Sequence, residues 1–261
     1  MAAGNEPMQA TFWLLDAPDS LVAQSHRNVD GTGVGFFDAH NSPHVDKQPI
    51  AAFEDRRFAA EARAIRSRTF VSHIRHATTG ELTLVNTHPF CLQDRLFAHN
   101  GVISDLPKLE QHLGDDLALV KGATDSERYF ALITREIDRH DGDVGAGILA
   151  AVEWIAENLS IQSINFVLIT ATDLWALRYP EHHSLFVLER SAGGSGAEST
   201  EPLEQNSSHG TRVHSERGRD HPVVVVASER MDDDSGWREL KSGELIHVDA
   251  SLVVTSEQLV G

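Results

Sequence analysis

An α+β fold, with helices covering sheets that are mainly antiparallel, follows from three features of this sequence. Strand-like and helix-like segments come in blocks (strands, helices, strands, helices, strands) instead of strict β-α alternation around one parallel sheet. No internal repeat divides the chain. Its 261 residues, 41% of them hydrophobic and 23% charged, suffice for one large domain spanning 1–261 with a sizeable core.

The elements justify themselves in order. Thr11 can cap a short helix with Phe12 and Leu15 inward, which Pro18 limits or restarts at Asp19-Ser20, so this opening reads as helical, not extended. The residues before it read as a polar linker. Val34 to Asp38 and Val45 to Ile50, joined by the Asn41-Ser42-Pro43 turn, form a strand pair. Gly31, Gly33 and Gly35 do not match the dinucleotide fingerprint, so they mark tight turns or close approach of another backbone. From Ala52 to Arg66 the apolar positions Phe53, Phe58, Ala62 and Ile65 recur at helical spacing. A strand follows at Thr69 to His73. Leu106-Pro107 opens a short helix, and Gly122-Ala123-Thr124-Asp125-Ser126-Glu127 a long one with Phe130, Ile133 and Ile137 inward. Asp125 at its start reads as a cap or a partner of the helix dipole. Val144 to Asn158 is a further helix; Ile164 to Thr170, Leu174 to Tyr179, Ser184 to Leu188 and Pro222 to Ala227 are strands. A hairpin at Glu244 to Val248 and Leu252 to Thr255 closes the chain. Residues 191–220, rich in Gly, Ser and Glu, read as a mobile loop.

Composition narrows the function. Thirty-nine acidic against 22 basic residues give a formal charge of -17, which repels nucleic acid and anionic membranes. The lone cysteine, Cys91, excludes an internal disulfide and a thiolate-rich zinc site, and the fifteen histidines show no metal-ligand spacing, so neither metal nor cofactor is expected. The N-terminus has no secretory pattern and no apolar run is long enough for a bilayer, which points to the cytoplasm.

Polar residues concentrate between Phe70 and Asp105: His73-Ile74-Arg75-His76-Ala77-Thr78-Thr79-Gly80, Asn86-Thr87-His88-Pro89 and Phe97-Ala98-His99-Asn100-Gly101. Such groups beside apolar strands cost free energy unless they pair with each other or with a ligand. Asn100-Gly101 taken alone is a hairpin-turn signal. Together with Thr124-Asp125-Ser126-Glu127, however, these motifs resemble the class II glutamine amidotransferases. Ala227-Ser228-Glu229-Arg230-Met231-Asp232-Asp233-Asp234 and Gly236-Trp237-Arg238 resemble that family's stand-alone branch, which includes amidohydrolases of ergothioneine synthesis.

The resemblance implies an N-terminal-nucleophile hydrolase sandwich, two mainly antiparallel sheets between two layers of helices (αββα). It implies that Arg75 holds the α-carboxylate of glutamine or a γ-glutamyl compound, that Asp125 pairs with the α-ammonium group, and that Thr78 lines the pocket. The Asn100 amide and the Gly101 N–H would form an oxyanion hole. Ammonia released from glutamine would need a separate accepting enzyme, unless the reaction is a simple hydrolysis. His76, at a position often aromatic in the family, and Thr32, where many members have Trp, leave the outer wall of the pocket open.

The family's nucleophile is a cysteine exposed by removal of the initiator Met, its own α-amine serving as base, whereas this chain begins Met1-Ala2-Ala3. Cys91 has no free α-amine, and Thr11 opens a helix-like segment, so neither replaces it. The expectation is that Met1 is an internal methionine of a longer reading frame, and that the chain from Met1 lacks both the nucleophile and the first strand. The alternative is a natural pseudoenzyme that binds a glutamyl group without cleaving it.

Overall fold

In a computed structural model, residues 1–76, 80–191, 203–206, 212–215 and 221–259 are described. They form two large antiparallel sheets flanked by helices. Strands β1 (Ala2–Gln9), β2 (Thr32–Phe37), β3 (Pro43–Gln48), β4 (Arg66–Ile74), β9 (Phe186–Arg190), β12 (Val223–Ala227) and β13 (Arg238–Glu239) make a seven-stranded sheet in the order β13-β9-β12-β1-β4-β2-β3. Strands β5 (Phe90–Leu92), β6 (Arg95–Ile103), β7 (Ile161–Ile169), β8 (Leu174–Arg178), β14 (Glu244–Val248) and β15 (Val254–Gln258) make a six-stranded one, β15-β14-β8-β7-β6-β5. Between the sheets lies a core of small and branched residues such as Val71, Leu96, Val167, Val224 and Ile246.

Helices cover both outer faces. On the six-stranded sheet lie α3 (Leu106–Leu113), α4 (Asp125–Arg139) and α5 (Val144–Asn158), whose buried residues share a core with Phe97 and Phe166. On the seven-stranded sheet, α2 (Arg56–Ala64) contributes Phe58 and Ala62, and a wide helical turn at Phe12–Asp16 contributes Trp13 and Leu14. The short α1 (Leu21–Gln24) follows that turn. The expected four-layer αββα architecture is therefore present. Side chains that accept backbone N–H groups start the helices: Asp55 for α2, Thr124 for α4 and Asp143 for α5.

Two sequence expectations are corrected, and a third segment is described in part. Residues 2–9 are not a linker: they form β1, the middle strand of the larger sheet, pairing with β4 (Ala2 with Phe70) and with β12 (Ala2 with Val225). Gly4, Asn5, Glu6 and Pro7 are poor strand formers, and a bulge between Ala3 and Met8 absorbs them, so two neighbouring strands override local propensity. Asn100-Gly101 is not a turn but lies inside β6, Asn100 opposite Asn165 and Gly101 opposite Ile164. A Cβ at Gly101 would sit 1.8 Å from the Ser163 carbonyl oxygen, so the glycine is required by strand-to-strand approach. Within 191–220, β10 (Leu203–Asn206) pairs antiparallel with β11 (Arg212–Ser215), so part of this segment is a two-stranded ribbon; its other residues, except Ser191, lie outside the described set. Among the described residues, no helix is long and apolar enough to cross a membrane.

Two glycines of α5 give a paired test of how it packs on α4. A Cβ at Gly147 would lie 2.5 Å from the Ile137 nitrogen of α4, whereas at Gly145 the nearest atom would be 3.5 Å away. Gly147→Ala should destabilise the protein by about 1–3 kcal/mol, and Gly145→Ala should be neutral or stabilising by up to about 1 kcal/mol. Chemical denaturation of the two variants checks this, and equal effects would refute the tight α4–α5 contact.

Candidate active site

The motif residues converge on a pocket of about 480 Å³ where the two sheets and the start of α4 meet. Arg75 follows the end of β4; Asn100 and Gly101 come from β6 and Asp125 from the first turn of α4, and all four line the pocket. Thr78 lies outside the described residues.

Arg75 is buried. Its Nη1 donates to the Glu81 carbonyl at 3.1 Å and its Nη2 to the Gly80 carbonyl at 3.3 Å. Burial pulls its pKa down, while Asp30 and Asp125 oppose that shift; a guanidinium stays protonated throughout the physiological range. Asp125 does not cap α4, since the Thr124 hydroxyl accepts from the Glu127 N–H. Instead its Oδ2 accepts from the Ile103 N–H at 2.9 Å, fixing the carboxylate against a bulge of β6. A buried cation and a buried anion thus line one cavity, an arrangement able to hold a zwitterion such as the amino-acid end of a ligand.

The third side of the pocket is an interruption in the larger sheet. On one edge β4 pairs with β2 as far as Ile74, but on the other its pairing with β1 stops at Phe70. Beyond that point Ser72, His73 and Ile74 face Val226, Ala227 and Ser228 across the pocket, and both sets line it. The Ser72 N–H finds the Met1 sulfur at 3.3 Å where a strand would offer a carbonyl. The Met1 α-amine donates to the Val226 carbonyl at 2.9 Å, and burial lowers its pKa to about 5. Trp13, Leu14, Leu21 and Met231 add an apolar wall. The result is a slot with the width of one strand that ends at Arg75, Asn100 and Gly101.

Behind the slot lie His73, His88 and His99, all lining the pocket. The His99 ring contacts the Ser126 hydroxyl at 2.9 Å and the Ser163 carbonyl at 3.3 Å. His73 and His88 pack as tilted rings with centroids 4.2 Å apart, and His73 Nδ1 and both His88 ring nitrogens are buried without a hydrogen-bond partner. Burial, assisted by neighbouring His99, takes His73 down to about 4, and burial, with His73 beside it, also pulls His88 well below its ordinary value. Both are neutral at pH 7. Among the described residues, no group of His, Cys, Asp or Glu is arranged to hold a metal ion.

Cys91 lies exposed on β5 and does not line the pocket, and the Thr11 hydroxyl donates to the Ala62 carbonyl. His76 is exposed at the mouth, 3.9 Å from Asp30. Sequence reasoning missed how the late motif works: buried Asp232 accepts from the Trp237 indole at 2.7 Å and from Arg190 at 2.9 Å, fixing the loop that carries Met231 into the wall. It also missed Lys47, which donates to the Thr87 and Pro89 carbonyls on either side of His88. Burial lowers Lys47 to about 8.

Residues 16–259 match the family model described as class-II glutamine amidotransferases. The gamma-glutamyl-hercynylcysteine sulfoxide hydrolase of Mycolicibacterium smegmatis is 27% identical, the alignment covering 95% of each protein. A Saccharomyces cerevisiae protein named "Probable glutamine amidotransferase DUG3" is 25% identical over 94% of this chain and 79% of its own length. Among solved structures, a glutamine aminotransferase class-II domain protein from Silicibacter pomeroyi superposes with a TM-score of 0.63 at 20% identity, covering 100% of this chain and 98% of that one.

The neutral imidazoles set a pH dependence. An unfolded chain protonates His73 near its ordinary value of 6.5, but the folded protein does so only near 4. Between these values the unfolded state binds more protons, so stability rises as pH increases from about 4 to about 6.5 and gains nothing more from this group above that. Thermal melts across the interval should show the rise, and His73→Asn should make it shallower. An unchanged slope would mean that the imidazole is already charged in the fold.

Proposed function

Since the chain belongs to the class II glutamine amidotransferases, we propose that its pocket binds the glutamyl end of glutamine or of a γ-glutamyl compound, and that the complete protein hydrolyses the side-chain amide. The observation that carries this reading is the placement of Arg75 and Asp125 on one cavity with Asn100 and Gly101 between the strand slot and the start of α4. Arg75 takes the α-carboxylate and Asp125 the α-ammonium group, so the amino-acid end is measured while the leaving group is held loosely. The scissile amide then lies against β6, where the Asn100 carboxamide and the Gly101 N–H receive the developing oxyanion. A positioned donor of this kind is worth roughly 3 kcal/mol of barrier.

The described pocket holds no thiol, and Ala2 offers no nucleophile. The interruption between β4 and β12 supports a source for one. A few residues preceding Met1, extended at roughly 3.3 Å each, would complete the ladder beside Ser72 to Ile74 and carry an N-terminal cysteine toward Arg75. Alternate side chains of that segment would meet the apolar wall of Trp13, Leu14, Leu21 and Met231. The α-amine of such a cysteine, unprotonated near neutral pH, would accept the proton of its own thiol. In this reading a thiolate attacks the amide carbon and ammonia or an amine leaves. Water then hydrolyses the γ-glutamyl thioester to glutamate. The relatives named for a γ-glutamyl sulfoxide support simple hydrolysis; a separate enzyme would be needed to use released ammonia.

A second reading rests on the closed hydrogen bonding of Met1 itself, whose amine and carbonyl both pair with Val226. A chain that begins there would be a pseudoenzyme that retains glutamyl binding. Reading the coding sequence upstream of Met1, and assaying the extended and unextended proteins for ammonia release from glutamine, separates the two. Activity only in a Cys-initiated extension supports the hydrolase. Absence of an in-frame extension, with glutamine still raising Tm, supports the binding module, and neither hydrolysis nor stabilisation in any form would refute both. In an active form, Arg75→Ala should weaken glutamine binding by about 10- to 100-fold, whereas Asn100→Ala should chiefly lower kcat. If Arg75→Ala left kcat/KM intact, the carboxylate assignment would be wrong.

A further inference from the structure

We propose that Asn86 is a positioning residue that fixes the separation between Arg75 and Asp125, and so the length of the amino-acid end that the pocket accepts; this rests on the glutamyl reading above. Asn86 is buried, and its carboxamide bridges the two halves of the site. Its Nδ2 donates to the Glu81 carbonyl at 3.1 Å, the same oxygen that receives Arg75 Nη1. Its Oδ1 accepts from the Ala123 N–H at 2.8 Å, two residues before Asp125. One planar group thus ties the loop that seats the guanidinium to the segment that launches α4.

Its orientation is unambiguous, because a carbonyl on one side needs a donor and an N–H on the other needs an acceptor. The neighbours leave no slack. A Cβ at Gly122 would lie 2.5 Å from Asn86 Oδ1, and one at Gly80 would lie 3.1 Å from Nδ2, with Gly80 already at φ +74°. Two glycines therefore let this side chain in, and only an uncharged group carrying both a donor and an acceptor at this length satisfies both sides. Asp keeps the acceptor but loses the donor, and Gln is one methylene too long.

This difference supplies the test. Calorimetric binding to the chain beginning at Met1 is measured for L-glutamine, for glutaramic acid, which lacks the α-amine, and for 4-aminobutanamide, which lacks the α-carboxylate. The unaltered protein should bind each analogue about tenfold or more weakly than glutamine. Asn86→Asp releases only the Arg75 side, so its penalty for losing the α-carboxylate should fall to about threefold or less, while the penalty for losing the α-amine persists. A role confined to general stability would lower Tm without this selectivity. Full retention of both penalties, or equal loss of both, in Asn86→Asp would overturn the inference. Should that variant not fold, Asn86→Ser, which reaches neither partner, should lose both penalties; their retention would likewise overturn it. Failure of both the unaltered protein and its Cys-initiated extension to bind glutamine would instead refute the glutamyl reading itself.

Discussion

A guanidinium buried at the end of a sheet must be surrounded by acceptors, and the neighbourhood of the pocket is organised by that requirement. Arg75 obtains the Gly80 and Glu81 carbonyls of the loop that seats it, and Gly80 itself sits in the left-handed region that glycine adopts without strain. That loop is held in turn by Asn86, by the Thr87 hydroxyl bonded to the Thr83 carbonyl, and by Lys47 reaching across from β3. Much of the Asn86 to Pro89 motif is therefore support for one cation. The opposite charge, Asp125, is secured by a different device, the N–H left available at a bulge of β6.

The larger helices were legible because apolar residues at helical spacing through α4 and α5 are a local signal, although the residue that caps α4 is Thr124 and not Asp125. The candidate site residues drew attention because polar side chains beside apolar strands are costly to bury, so Arg75, His99 and Asn100 stood out against their apolar neighbours. Residues 2–9 were not legible. Nothing in Gly4-Asn5-Glu6-Pro7 favours a strand, and their state is decided by β4 and β12, which lie far away in the sequence. Asn100-Gly101 misled for the opposite reason, since a strong local turn signal is overruled by the close approach of Ser163.

The histidines show a related limit. In sequence His73, His88 and His99 show no metal-ligand spacing, and in the fold they are packed rings, His73 and His88 tilted against each other with three ring nitrogens lacking partners. Burial rather than bonding sets their charge, and keeping them neutral avoids three cations beside Arg75. The pocket thereby retains one fixed positive centre. Its apolar wall depends on equally distant pieces: Asp232, Trp237 and Arg190 hold the Met231 loop against Trp13, whose ring lies 5.1 Å from the Arg190 guanidinium.

The position of β1 has a consequence for the order of assembly. It is the earliest of the described strands in the sequence, yet one of its partners, β12, begins more than 200 residues later at Val223. Contacts of such sequence separation carry a large loop-closure cost and form late in folding. Helices α4 and α5, adjacent in the chain, the β7–β8 hairpin, and the β6–β7 pair that encloses the helices have shorter loops to close. The half of the pocket that carries Asp125, Asn100 and Gly101 can therefore be built before the half that carries the chain's amino end. Any chemistry that needs both halves is withheld until the last strand of the larger sheet has been threaded into place.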